Sequence, residues 1–228
     1  IVIVLVGWAM YLRRELHPEE FPLFLPEYEH IYLAVAMGVG LLGLAVRVYT
    51  VGFSPRNTSG RNTKVGQVAD TLNQTGIYSV VRHPLYLGNF LMWLGPALVT
   101  ANGWFILAFC FLYWVYYERI MFAEEQFLRK KFGDVYLQWS QGVPAFLPNF
   151  SNFISSNFPF SWKKVLKKEK NGLAALFLIF CLFDASVLIF KPDHQPNLLL
   201  IGLCIGTGLL YLVLKLLKNS QLMAEKDR

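Results

Sequence analysis

The chain has 228 residues, 55% of them hydrophobic and 16% aromatic, with a mean hydropathy of +0.41, which is well outside the range of ordinary soluble domains. Its net charge of +6 must therefore be read against a membrane, where the placement of Lys and Arg matters more than their sum. Cys110, Cys181 and Cys204 lie singly within apolar runs, which excludes a disulfide framework or a zinc site and predicts packing residues. No metal centre is expected.

In chain order, Ile1 to Leu12 is apolar but short. It reads as the end of a longer segment, or secondly as a secretory signal, although no small-residue cleavage site follows. From Arg13 to His30 two basic residues stand against five acidic ones, Glu15, Glu19, Glu20, Glu27 and Glu29. Ile31 to Phe53 is long enough to cross a hydrocarbon core as a helix at ~1.5 Å rise per residue. Within it Gly38-Val39-Gly40-Leu41-Leu42-Gly43 has the letters of a dinucleotide-binding loop. No strand precedes it, however, so close helix packing is the better reading, as it is for Gly202 and Gly206. Arg47, near the end of this segment, is either a buried functional charge or a side chain that snorkels to the interface, and its long stem favours the second.

Residues 54–74 are polar, carry Arg56, Arg61, Lys64 and Asp70, and read as a loop or short cap over the membrane surface. The glycosylation-like triplets at Asn57, Asn73 and Asn149 carry no meaning on the side of the membrane assigned to them below. Leu85 to Tyr117 is apolar apart from the turn dipeptide Asn102-Gly103, which predicts a tight helical hairpin placed at the middle of the bundle. Pro84 suits the first position of its first helix, so Arg82 and His83 are expected at the helix mouth, where backbone N–H donors favour an anion. Gly88 removes bulk one turn further in. Past Tyr116 the second helix leaves the membrane and becomes charged. Glu124 and Glu125 point about 100° apart on it, so one can face a site while the other pairs with Arg129, four residues on.

Asn149 to Lys170 interleaves aromatic residues with no long helical face and ends in Lys163-Lys164 and Lys167-Lys168-Glu169-Lys170. That combination suits anionic lipid headgroups better than nucleic acid, because it lies directly against a membrane segment. Leu173 to Phe190 and Leu198 to Leu217 form a last hairpin, and Asp184 within it is either a functional carboxylate or a cap for a neighbouring helix. Nine basic and five acidic residues between Glu118 and Lys170 place 54–84, 118–171 and the C-terminus on the cytoplasmic side, with Arg13-Arg14 as the contrary signal. The expected fold is all-α, a polytopic bundle of about six membrane segments. It divides into N-terminal segments (1–69), a core (70–148), an interfacial linker (149–171) and a C-terminal hairpin with its tail (172–228).

Taken together, Gly76-x-Tyr78, Arg82-His83-Pro84-x-Tyr86-x-Gly88, Glu124-Glu125-x-x-Leu128, Phe132-Gly133-x-x-Tyr136 and Val143-Pro144 closely resemble the C-terminal half of the isoprenylcysteine carboxyl methyltransferase family. Related phospholipid methyltransferases share much of this pattern. The resemblance covers about a third of the chain, from Asp70 to Pro148. It implies an integral membrane enzyme that binds S-adenosyl-L-methionine at the cytosolic membrane edge, between the Arg-His-Pro helix and the Glu-Glu helix. By the same resemblance His83, Pro84, Leu85, Tyr86, Tyr78 and Glu124 would contact that cofactor, with Asp70, Thr71, Leu72 and Asn73 as a weaker upstream stretch and Gly88 admitting close approach. On the acceptor side the family grips a carboxylate with an arginine. Arg119 is the candidate for that role, although the family spacing to the glutamates is one residue shorter, which leaves Arg82 as the alternative and Glu125 as a further catalytic candidate. The implied acceptor is a membrane lipid or prenylated molecule bearing a carboxylate. A phospholipid amine or phosphate acceptor, a sterol-type NADPH reductase and a non-catalytic membrane protein are the competing readings.

Overall fold

The computed structural model describes residues 2–21, 25–55, 62–63 and 66–217. Seven α-helices account for most of them: α1 (Val2–Leu16), α2 (Glu29–Phe53), α3 (Pro84–Val99), α4 (Gly103–Phe132), α5 (Asp134–Gly142), α6 (Trp162–Ser186) and α7 (Leu198–Leu217). The only described strands are the pairs Asn62–Thr63 and Gly66–Gln67, so the chain is all-α as expected. Arg56, Arg61, Lys64 and the Asn57 triplet lie outside the described residues.

Four helical stretches are long and apolar enough to cross a membrane, Pro26–Phe53, Gly103–Phe132, Trp162–Ile189 and Leu198–Leu217. The chain is an integral membrane protein, and the remaining two expected segments correspond to α1 and α3, which at 15 and 16 residues are shorter than a perpendicular span. Asn102 starts α4 as predicted, its side chain accepting the Phe105 N–H at 2.9 Å.

The helical hairpin does not sit together at the centre of the bundle. Its first arm, α3, is packed on α2 backbone to backbone, whereas α4 turns Phe111, Trp114 and Tyr116 outward. Glycine explains the closeness: a Cβ on Gly43 would stand 2.5 Å from the Gly88 carbonyl oxygen, and one on Gly95 2.7 Å from that of Ala36. The run from Gly38 to Gly43 is thus a packing surface at Gly40 and Gly43, while Gly38 faces open space. Gly202 and Gly206 depart from expectation, since a Cβ at either would meet nothing within 4 Å.

Three charged residues of the apolar helices find partners inside the bundle. Arg47 does not snorkel: its Nε and Nη2 donate to the two Glu169 oxygens at 2.7 and 2.9 Å, and its Nη1 donates to Asn89. Arg14, 1% exposed, donates to the Val99 carbonyl at 2.9 Å and pairs with Glu15 and Glu29, so it is a packing group rather than a surface charge that would orient the chain. Asp184 takes the capping role, accepting from His194 Nε2 at 3.1 Å and from the Asn197 N–H at 2.7 Å just before α7. The expected linker is likewise shorter, because α6 starts at Trp162 behind a Ser161 cap and its first turns carry the lysines. Phe160 closes this corner against α2, where a Cβ on Gly52 would overlap its ring.

Candidate active site

The mouth of α3 is built by two chain reversals. Gly76 adopts φ +62°, a conformation open to glycine, and its N–H donates to the Ile154 carbonyl at 2.8 Å. Ile77–Ser79 then make one 3₁₀ turn, and Pro84 opens α3 with His83 at its N-cap. The backbone N–H groups of Arg82 and His83 donate to the carbonyls of Pro144 and Ala145 at 2.9 and 3.1 Å. Those two donors are therefore spent on the chain itself. What this mouth offers a ligand is side chains.

These side chains meet α4. Tyr86 Oη donates to Glu124 at 2.6 Å, and His83 Nε2 lies 2.9 Å from Glu125 Oε1. His83 Nδ1 stands 3.7 Å from the second Glu124 oxygen, so one imidazole lies between two carboxylates. Arg82 approaches the same Glu125 oxygen with Nε at 3.2 Å, an ion pair in distance though bent away from hydrogen-bond geometry, and anchors its Nη1 on the Ser140 carbonyl at 3.0 Å. Glu125 is thus turned inward, where sequence spacing had offered Arg129 as its partner. The rings of His83 and Tyr86 stack with centroids 5.7 Å apart, and Tyr113 Oη supports the turn by donating to the Tyr86 carbonyl at 2.7 Å.

Between these groups lies a cleft that opens to solvent. Leu72, Asn73, Tyr78, Arg82, His83, Pro84, Leu85, Tyr86 and Glu124 line it, all of them residues singled out by sequence. Leu128, Tyr136 and Trp139 complete it, and Trp139 was missed. The indole donates to the Tyr78 carbonyl at 3.2 Å, a contact across 61 positions with no local pattern to announce it. Burial, ahead of the neighbouring Glu124 charge, pushes the Tyr78 phenol up to about 12. Burial first, then the Glu125 charge, raises Tyr136 as well. Both are neutral phenols at physiological pH.

The other sequence candidates lie elsewhere. Asp70 and Thr71 are exposed beside the cleft. Gly88 faces α2, where a Cβ would stand 2.5 Å from Arg47 Cγ, so its smallness serves helix packing. Arg119 is exposed on α4 and does not line the cleft. Among the described residues no group of three or more His, Cys, Asp or Glu could hold a metal ion.

The family model for phospholipid methyltransferase matches residues 33–135, a segment running from α2 through the cleft to the start of α5. The Schizosaccharomyces pombe protein-S-isoprenylcysteine O-methyltransferase is 33% identical over 134 residues, which cover 56% of this chain and 55% of the relative. Protein-S-isoprenylcysteine O-methyltransferase B of Arabidopsis thaliana is 37% identical over 74 residues, 32% of this chain and 37% of that protein. The Saccharomyces cerevisiae protein-S-isoprenylcysteine O-methyltransferase is 32% identical over 77 residues, 34% of this chain and 32% of its own. The chain spans about half the length of the first of these relatives and about a third of the other two. Over this segment, which carries most of the cleft, the chain is similar to phospholipid methyltransferases and to protein-S-isoprenylcysteine O-methyltransferases.

Proposed function

We propose that the chain is a membrane methyltransferase that uses S-adenosyl-L-methionine to methylate the carboxylate of a prenylated cysteine. The observation that carries this reading is the pair of bonds Tyr86–Glu124 and His83–Glu125, which close the mouth of α3 against α4 around the cleft. The names of the three relatives supply the acceptor class.

The residues present fit such a methyl donor. Arg82 and His83 can take its carboxylate, Glu124 its ammonium or ribose hydroxyls, and Tyr78, Tyr86 and Trp139 an aromatic base, with apolar walls between them. When bound, the donor supplies an electrophilic methyl group on a sulfonium. A carboxylate acceptor needs no general base, so the protein's task is to strip water from that carboxylate and hold it in line. Glu125 acts as a positioning residue through His83 and Arg82. Among the arginines first considered for the acceptor carboxylate, Arg82 lines the cleft and is preferred to the exposed Arg119.

Asp70 and Thr71 border the donor site rather than line it, and Asn73, buried beside them, orders the turn by accepting the Thr75 N–H at 3.2 Å. The basic surplus from Glu118 to Lys170 supports a cytoplasmic position for the cleft. Exposed Phe150, Phe153 and Trp162 beside Lys163 and Lys168 would rest among anionic headgroups there.

The test is direct. Protein in lipid nanodiscs, given labelled donor and N-acetyl-S-farnesylcysteine, is expected to form a base-labile methyl ester. Stable methylation of phosphatidylethanolamine in its place would move the acceptor to the phospholipid class, and binding of NADPH without S-adenosylhomocysteine would end the methyltransferase reading.

A further inference from the structure

A cavity of about 280 Å³ lies at the other end of α3 from the cleft, walled by Tyr11 and Arg14 of α1, Glu29 and Leu33 of α2, and Phe180 and Asp184 of α6. Val99, the last residue of α3, marks its level, and at ~1.5 Å per residue it stands about 22 Å along the axis from Pro84. Pro26, Glu29 and His30 are exposed and form the mouth. The space is many times the ~10–15 Å³ that one water needs. Of the described lining only Leu33 and Val99 fall within residues 33–135, so the cavity is built mostly by parts of the chain outside the matched segment.

Most polar groups of the wall already have work. Arg14 is spent on the Val99 carbonyl, Glu15 and Glu29. Asp184 holds His194 and the Asn197 N–H, two bonds of the about four that a carboxylate can accept. Tyr11 differs. It is 4% exposed, its ring packed on Phe183 with centroids 5.5 Å apart and covered by the Arg14 guanidinium at 4.7 Å. Its hydroxyl nevertheless makes no hydrogen bond to any described residue. The charges acting on that hydroxyl are Glu15, Arg14, Asp184 and Glu29, which surround the cavity, so it faces the cavity rather than lipid. A buried hydroxyl left without a partner is unfavourable, and a ligand in this space would supply one.

The surroundings select the chemistry of that ligand. Three carboxylates, Glu15, Glu29 and Asp184, stand against the single guanidinium of Arg14, so the wall disfavours an anion. A purely apolar molecule would leave Tyr11 and the carboxylates facing hydrocarbon. An ammonium group has three donors to share among Glu29, Asp184 and the phenol oxygen, while its carbon body packs on Phe180, Phe183 and Leu200. We propose that this cavity is a binding site for an organic primary ammonium ion, separate from the cleft and independent of the function proposed above. A free amine and the ethanolamine headgroup of a lipid offer the same chemistry.

The test titrates phenethylammonium into the full chain in phosphatidylglycerol nanodiscs by calorimetry, with 2-phenylethanol as its uncharged counterpart. Saturable binding of the amine, at least about tenfold tighter than of the alcohol, is expected. Glu29→Gln should weaken it about tenfold, and Tyr11→Phe about threefold or more. Because the Tyr11 hydroxyl bonds to no described protein group, Tyr11→Phe should keep or raise the wild-type melting temperature, which separates lost binding from a folding defect. Adding phosphatidylethanolamine to the nanodiscs distinguishes the two sources: competition with the amine assigns the site to a lipid headgroup, and unchanged binding assigns it to a free amine. Amine and alcohol bound alike, no saturable binding of the amine, or wild-type affinity in both variants would each overturn the inference and leave the cavity to water.

Discussion

Arg47 and Glu169 meet in a two-pronged ion pair, 2.7 and 2.9 Å, that joins α2 to α6 across 122 positions of sequence. The Glu169 side chain is 4% exposed and that of Arg47 21%, so the carboxylate has no water to fall back on if its partner is removed and the guanidinium has only a little. Breaking such a pair from one side costs about 3–5 kcal/mol when fully buried, and somewhat less here because Arg47 is partly accessible. Glu169→Ala is therefore expected to lower the melting temperature in detergent more than the double variant Arg47→Met/Glu169→Leu does. A double variant less stable than the single one would show that the pair is net stabilising rather than a liability held in place by its partner.

The two glutamates of α4 should separate by function. Glu124 lines the cleft and holds Tyr86, whereas Glu125 touches His83 and Arg82 from behind. Glu124→Gln is expected to weaken S-adenosylhomocysteine binding by about tenfold or more, a loss of about 1.4 kcal/mol, and Glu125→Gln by less. Calorimetry on both variants checks this order, and the reverse order would exchange their roles.

Close approach of α2 and α3 leaves no space for a methyl group at Gly88, where a Cβ would meet Arg47 and the Gly43 carbonyl. Gly88→Ala should shift both helices and cost about 1–3 kcal/mol of stability, as overpacking does. Gly202→Ala, facing open space on α7, should change the melting temperature little. Comparable losses at both positions would refute the assigned contacts.

Much of this was legible in the sequence. Apolar length alone marks α2, α6 and α7, and Pro84 and Asn102 mark where α3 and α4 begin. The site was legible wherever it is local, as in Arg82 to Tyr86. What escaped was contact between distant positions. Arg47 reads as an interfacial charge until Glu169 is brought beside it, and Gly88 reads as room for a ligand until α2 is laid against it. The inward turn of Glu125 follows from His83, whose two ring nitrogens let divergent carboxylates on α4 both approach one imidazole.

Alkaline pH tests the burial of the two cleft phenols. Tyr78 and Tyr136 have folded pKa values above the ordinary tyrosine value of about 10. Their stabilising contribution is thus complete below about pH 10 and is lost as the pH rises toward the folded values, because the unfolded chain releases those protons first. Unfolding free energy is expected to decline above about pH 10, less steeply in Tyr78→Phe. An identical slope in wild type and variant would place Tyr78 in water.

The central claim is that the cleft between the mouth of α3 and the glutamates of α4 holds the methyl donor. It is tested most directly by titrating S-adenosylhomocysteine into wild type, Tyr86→Phe and Arg119→Lys. Tyr86→Phe removes a 2.6 Å bond to a charged acceptor, worth about 1.5–3 kcal/mol, while Arg119 lies exposed outside the cleft. Saturable binding by wild type, at least about tenfold weaker in Tyr86→Phe and unchanged in Arg119→Lys, is the predicted result. Binding that Arg119→Lys weakens and Tyr86→Phe does not would contradict the account and move the donor out of this cleft.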